Sequence, residues 1–221
     1  PGPDGYSSKF FKQSWDTVKD DFTSAVLEFF TTGQLLKSWN HTLIALVPKT
    51  AHASKVQDYR PISCCTVFYK VISKLLASRL AEVSDHLLHS AQTAFVRGRT
   101  ITDNIHLAQE LLRNYTRKRI SPRCTLKVDL QKAFDSVHWD FLQDVLAALQ
   151  FPAVYIAWIR ECITTTSFSV VINGIMHGFF RGGRGLRQGA PLSPYLFGLC
   201  MEYLSRSLAR RTIRSDFHFH P

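Results

Sequence analysis

Paired cysteines are missing from this chain: its five cysteines, Cys64, Cys65, Cys124, Cys162 and Cys200, are odd in number and form no Cys-x-x-Cys pair. Neither a disulfide framework nor a zinc site is expected from that usage, and a reducing compartment fits it. Apolar runs long enough to span a bilayer are also lacking, so no membrane partner is expected. The opening residues carry no signal-peptide pattern, and no repeat or low-complexity tract appears. Acid is scarce relative to base. Lys plus Arg is 27 against 17 for Asp plus Glu, a formal net charge of +10. That imbalance suits a polyanionic partner, either nucleic acid or an acidic membrane surface. A merely soluble basic protein has the same balance, so charge by itself decides nothing.

What is present is an ordinary folded composition, 45% hydrophobic and 20% charged over 221 residues. That is enough chain for one large domain or two small ones, and disorder over most of it is excluded. Val18, Phe22, Val26, Phe29 and Phe30 share a helical face, as do Phe68, Val71, Ile72, Leu75, Leu76 and Leu80 over about Thr66 to Val83. Ile101, Ile105, Ala108, Leu112 and Tyr115 mark a third helix, ending in the basic cluster Arg117-Lys118-Arg119. Phe141 to Leu149 and Tyr155 to Ile163 give two more, on either side of Pro152. Leu43 to Val47 reads as a strand, and Lys49 to Tyr59 as a polar loop. Thr125 to Val128 alternates like a strand that leads into Asp129. Phe168 to Phe180 reads as a hairpin, because Asn173-Gly174 sits between two apolar arms. A Gly- and Arg-rich loop, Arg181 to Gly189, precedes a final helix that Ser193 is placed to cap, with Pro194 in its first turn. The layout is α+β. A boundary near Ser121 divides it into a mostly helical part, 1–121, and a second part, 122–221. The ends, Pro1 without a methionine and Pro221 after Phe217-His218-Phe219-His220, read as those of a piece of a longer product.

Three clusters carry potential chemistry. Lys127 to Asp135 places Asp129 at a strand end and a second carboxylate, Asp135, six residues on. A carboxylate at a strand end can hold Mg²⁺ beside phosphate oxygens, and either aspartate can instead cap the following helix. Capping is the favoured reading for Asp135, and spacing leaves Asp129 open. Arg181 to Gly189 brings arginine donors and close-approaching glycine backbone together ahead of a helix N-terminus, which suits phosphate. From Arg181 to Arg214 there are seven arginines, no lysine and one acid, Glu202. The third cluster is Asp58 to Ser63 with Lys49 eleven residues before Arg60. A Lys and an Arg on neighbouring strands can clamp a triphosphate. His218 and His220 lack a third ligand, so their spacing is read as incidental. Trp15, Trp39, Trp139 and Trp158 are read as packing residues, and Asp20-Asp21 as a solvated face.

Taken in order, these blocks resemble the reverse transcriptase of non-LTR (LINE-type) retrotransposons. The resemblance is carried by Pro1-Gly2-Pro3-Asp4-Gly5, Leu46 to Lys49, Tyr59-Arg60-Pro61-Ile62-Ser63, Gln92 to Arg99, Val128 through Asp135, and Arg187-Gln188-Gly189-Ala190-Pro191-Leu192-Ser193-Pro194. It runs from Pro1 to about Tyr203. A group II intron maturase is a related alternative that the first and third blocks disfavour. The resemblance implies the fingers and the front half of the palm of a right-hand polymerase, copying an RNA template onto a DNA primer from dNTPs with two Mg²⁺ ions. Asp129 would bind both ions with the carbonyl of Leu130, and Phe134 would be the steric gate against a ribose 2′-OH. Lys49 and Arg60 would grip the triphosphate, and Gln188 and Gly189 would lie beside the sugar and template. Arg181, Arg184 and Arg187 are the expected nucleic-acid contacts. The family's next block bears a paired Asp-Asp, and none follows Gln188 here. The chain is therefore expected to lack the Asp-Asp hairpin and thumb and to be inactive alone. A non-catalytic nucleic-acid-binding remnant is the alternative.

Overall fold

A computed structural model describes residues 1–96, 98–113 and 125–214. Arg97, Tyr115, the basic cluster Arg117 to Arg119, the boundary near Ser121, Cys124, Asp216, His218 and His220 lie outside the described residues. The elements are helices α1 (Ser8–Gln13) and α2 (Trp15–Thr32), strands β1 (His41–Pro48) and β2 (Tyr59–Cys65), and helices α3 (Val67–Leu87) and α4 (Ile101–Leu112). They continue with α5 (Trp139–Ala148), α6 (Ala153–Thr164), β3 (Ser167–Ile172), β4 (Ile175–Arg181) and α7 (Ser193–Thr212).

The strands form one mixed sheet in the order β2-β1-β3-β4. β1 is antiparallel to β2, with Val47 opposite Arg60, and parallel to β3, with Thr42 opposite Phe168. The hairpin forms at Asn173-Gly174, whose φ values of 52° and 80° are those a two-residue primed turn requires. Because β1 pairs with β3, the sheet joins the early and late parts of the chain.

Local chemistry explains where α3 starts. The Thr66 hydroxyl accepts the Tyr69 N–H at 3.2 Å and donates to the Trp39 carbonyl at 2.8 Å. One end of the helix is thus capped and tied to the approach to β1. Gly2 packs so closely there that a Cβ would sit 2.6 Å from the Thr66 nitrogen. Only glycine fits, which seats the opening Pro-Gly-Pro turn on the start of α3. A stack of Trp39 on Phe68 and Phe68 on Phe22, each at 4.3 Å, locks α2 and α3 to that segment. Leu142 and Leu146 of α5, Ile159 of α6, Leu196 and Leu199 of α7, and Ile72 and Leu76 of α3 are buried in one common core. Each contributes about 1.5–3 kcal/mol of apolar burial.

Three local expectations are corrected. Residues 125–130 form no strand: Leu126 and Val128 are 82% and 65% exposed, and no strand lies beside them among the described residues. Alternation alone does not make a strand, because the backbone needs a ladder partner. Ser193 is the first residue of α7, after Leu192, and makes no cap, while Pro194 does lie in the first turn. Asp135 does not cap α5, whose N-cap position is His138 without a side-chain bond. α4 forms as expected. Its stripe is exposed, Ile101, Ile105 and Leu112 included, so the helix rests on local capping, the Asp103 carboxylate accepting the Thr100 N–H and hydroxyl.

Candidate functional site

Lys49 and Arg60 lie on the two arms of the β1–β2 connection. The Lys49 N–H closes the ladder by donating to the Asp58 carbonyl at 2.8 Å. The Lys49 ammonium donates to the Gln57 carbonyl at 2.7 Å. Asp58 shapes this loop: its carboxylate accepts the N–H groups of Lys55 and Ser54 at 2.9 and 3.1 Å. Those two donors lower its pKa below the usual carboxylate value, and Lys49 adds to the effect. Both cations are therefore carried on a braced hairpin and both side chains are exposed.

The loop after β4 is braced from three sides. The Ser63 N–H of β2 donates to the Gln188 carbonyl at 2.9 Å. The Leu186 and Gly185 N–H groups donate to the carbonyls of Phe134 and Val137 at 2.9 and 2.7 Å. Gly185 has φ +91°, and a Cβ there would lie 2.9 Å from the Asp135 backbone, so only glycine allows this approach. Trp139 completes the contact by donating its indole N–H to the Gly185 carbonyl at 2.8 Å.

Between these parts lies a cleft of about 610 Å³ lined by Lys49, Gln57, Arg60, Gln131, Lys132, Asp135 and Gln188, with Leu46, Val56, Tyr59 and Pro61. The volume is in the range of small-molecule sites. A smaller hollow of about 250 Å³ behind it shares Pro61, Asp135 and Gln188 and includes Arg184. The fold thus brings together Lys49, Arg60 and Gln188, which are far apart in sequence. It also brings in the turn that follows Asp129. Asp129 and Leu130 themselves stand exposed just ahead of that turn and do not line the cleft. Phe134 does not line it: the ring packs against the core, stacked on Phe197 at 4.7 Å. Gly189 is exposed with φ +98°, and Arg181 and Arg184 are exposed.

Arg187 departs from its expected role. It is 7% exposed, donating to the Thr42 hydroxyl at 3.0 Å and to the Asn40 side-chain oxygen and Cys162 carbonyl at 2.7 Å. Its guanidinium lies 3.5 Å from the centre of the Tyr69 ring. Burial pushes the Tyr69 hydroxyl up while Arg187 pulls it the other way. Arg187 is therefore a core residue whose charge is met by carbonyl, hydroxyl and π density, and a phosphate-contact role is corrected. Part of the compensation is the C-terminal end of α6, where the Cys162 carbonyl carries the negative pole of the helix.

Sequence reasoning did not assign Lys132, Gln131 or Gln57 to this cleft, nor Asn40 and Tyr69 to Arg187. Lys132 sat inside a recognised block, so its position was available. The buried polar set was not, since Asn40 and Tyr69 show no pattern in sequence. No group of three or more His, Cys, Asp or Glu side chains suited to a metal ion occurs among the described residues. Asp129 and the Leu130 carbonyl supply at most part of the six-oxygen set that a Mg²⁺ ion takes. No helix among the described residues is long and apolar enough to cross a membrane.

Residues 47–220 match the family described as reverse transcriptase (RNA-dependent DNA polymerase). The chain is 33% identical over 202 residues to the transposon TX1 uncharacterized 149 kDa protein of Xenopus laevis, an alignment covering 91% of this chain and 15% of that protein. It is 29% identical over 208 residues, 94% of this chain and 19% of the relative, to the retrovirus-related Pol polyprotein from type-2 retrotransposable element R2DM of Drosophila melanogaster. With the corresponding polyprotein from type-1 retrotransposable element R2 of Nasonia vitripennis, identity is 28% over 214 residues, 96% of this chain and 20% of the relative. The chain thus spans a fifth or less of the length of these relatives. With the motif blocks and the family match extending over the same cleft-forming residues, the chain belongs to the reverse transcriptase (RNA-dependent DNA polymerase) family.

Proposed function

We propose that this chain supplies the fingers, about 1–121, and the front half of the palm, about 122–221, of an RNA-directed DNA polymerase from a non-LTR retrotransposon. The observation that carries the reading is the cleft in which Lys49, Arg60 and Gln188 converge on the turn after Asp129. Two exposed cations on a braced hairpin suit the triphosphate of an incoming dNTP, because phosphate oxygens take charge-assisted hydrogen bonds from both. Gln188, its backbone held by Ser63, is in reach of the same ligand. Gly189 next to it offers backbone close to a template strand. Arg181 and Arg184 would face nucleic-acid phosphates. Asp129 and the Leu130 carbonyl would hold Mg²⁺ together with carboxylates that the described residues do not supply. Bound Mg²⁺ would neutralise charge on the polyphosphate as the primer 3′-OH attacks. Phe134, next in sequence to Asp135 of the cleft lining, would bear on the sugar.

Primer extension tests this, in a polypeptide that continues through an Asp-Asp block. Asp129→Asn should abolish Mg²⁺-dependent extension on an RNA template while circular dichroism stays unchanged. Lys49→Ala or Arg60→Ala should raise the KM for dNTP about tenfold. Phe134→Ala should relax discrimination against rNTPs in the same assay. Full extension by the Asp129→Asn protein would sink the reading.

A further inference from the structure

We propose that Lys132 is a third polyphosphate-binding cation, and that the strained turn carrying it exists to aim it into the cleft. The inference rests on the polymerase reading of that cleft and adds a residue to it.

Two observations converge. Lys132 lines the cleft with Lys49 and Arg60, and comes from a chain segment outside the β1–β2 hairpin. Its ammonium makes no hydrogen bond or ion pair among the described residues, whereas Lys49 already spends one donor on the Gln57 carbonyl. A polyphosphate carries charge along its whole length, and cations on one wall alone leave the far oxygens unmatched. Lys132 is the basic residue of the lining that lies outside that hairpin.

The second observation is backbone conformation. Lys132 has φ +51°, the left-handed region that a lysine adopts only at a cost. Such conformations persist where surrounding structure over-determines them, and they concentrate at ligand sites. Here the bracing is visible. The Ser136 N–H donates to the Lys132 carbonyl at 3.0 Å. The Ser136 hydroxyl donates to the Ala133 carbonyl at 2.9 Å. Behind the turn, the Phe134 and Val137 carbonyls are held by Leu186 and Gly185. A glycine at 132 would relieve the strain at no loss of packing, since the side chain is exposed. That a lysine stands there instead points to its ammonium.

Phosphate oxygens in this cleft have two sources, a nucleotide polyphosphate or a nucleic-acid backbone. The clustering of three cations around one cleft favours the compact polyphosphate. Calorimetric titration of this 221-residue chain with sodium tripolyphosphate, without divalent metal and at fixed ionic strength, reads the effect directly. Lys132→Ala should weaken binding about tenfold, as the loss of one charge-assisted contact would. Lys132→Arg should restore most of it. Lys132→Gly, which relaxes the backbone without the charge, should bind as poorly as the alanine variant. A short abasic phosphodiester should compete weakly. If Lys132→Ala binds as tightly as the parent while Lys49→Ala and Arg60→Ala are weakened, this inference falls and the polymerase reading stands. If none of the three weakens binding, both fall. Equal competition by the abasic phosphodiester would overturn the polyphosphate assignment.

Discussion

Arg187 shows how little a residue's type says about its task. Among the glycines and arginines of residues 181–189 it reads as one more phosphate donor, yet the fold turns it inward while Arg184, three residues earlier, stays exposed. Among the described residues no carboxylate pairs with it. The Asn40 oxygen, the Thr42 hydroxyl, the Cys162 carbonyl and the Tyr69 ring do so together. Arg187→Met keeps much of the volume and strands those acceptors, so we expect a stability loss of about 3 kcal/mol in urea denaturation. A loss under 1 kcal/mol would mean the set satisfies itself without the cation. The motif was legible at this position and the direction of the side chain was not, because direction follows from where α6 ends and β1 begins.

Among the elements, β1 shows the clearest cross-strand dependence. Ser169 donates its hydroxyl proton to the Gly178 carbonyl at 2.6 Å, so His41 Nε2–H donates to the Ser169 oxygen at 3.2 Å. His41 Nδ1 is then the acceptor for Ser167 at 2.8 Å. One neutral imidazole thereby links β1, β3 and β4, with Phe179 stacked on it at 5.3 Å. Burial lowers its pKa. The unfolded chain therefore binds a proton before the folded one does, and this contribution is complete above the ordinary value of 6.5 and fades as pH falls through the folded value. Thermal unfolding should show a decline in Tm below that pH that His41→Gln flattens, and an unchanged profile in the variant would exclude the linkage. Most element boundaries were readable because helical stripes, Asn-Gly turns and prolines are local signals. The failure at 125–130 was not local: the same alternating residues make a strand only beside another strand.

For the whole molecule, charge is the governing quantity. A net +10 with only two ion pairs among the described residues leaves much of the cationic surface without acid beside it. Affinity for single-stranded RNA should fall steeply between low and moderate salt, with a log–log slope of about 0.7 per phosphate contacted. Arg181→Ala and Arg184→Ala should each reduce that slope by roughly one contact. Arg187→Met, where it folds, should leave it alone. Equal slopes in all three would show that these arginines are not phosphate contacts.

By itself the amino-acid order determined the family, the helices and hairpin, and the residue types that a nucleotide would meet. These depend on neighbours within a turn or two, or on blocks long enough to be specific. Tertiary structure decided which of those residues share a space. Lys49, Arg60, Lys132 and Gln188 line one cleft, Arg187 is withdrawn into the core, and Asp129 is left outside. That outcome rests on the pairing of β1 with β3 and on the Gly185 contact with Asp135, both between segments whose separation in sequence carries no local signal.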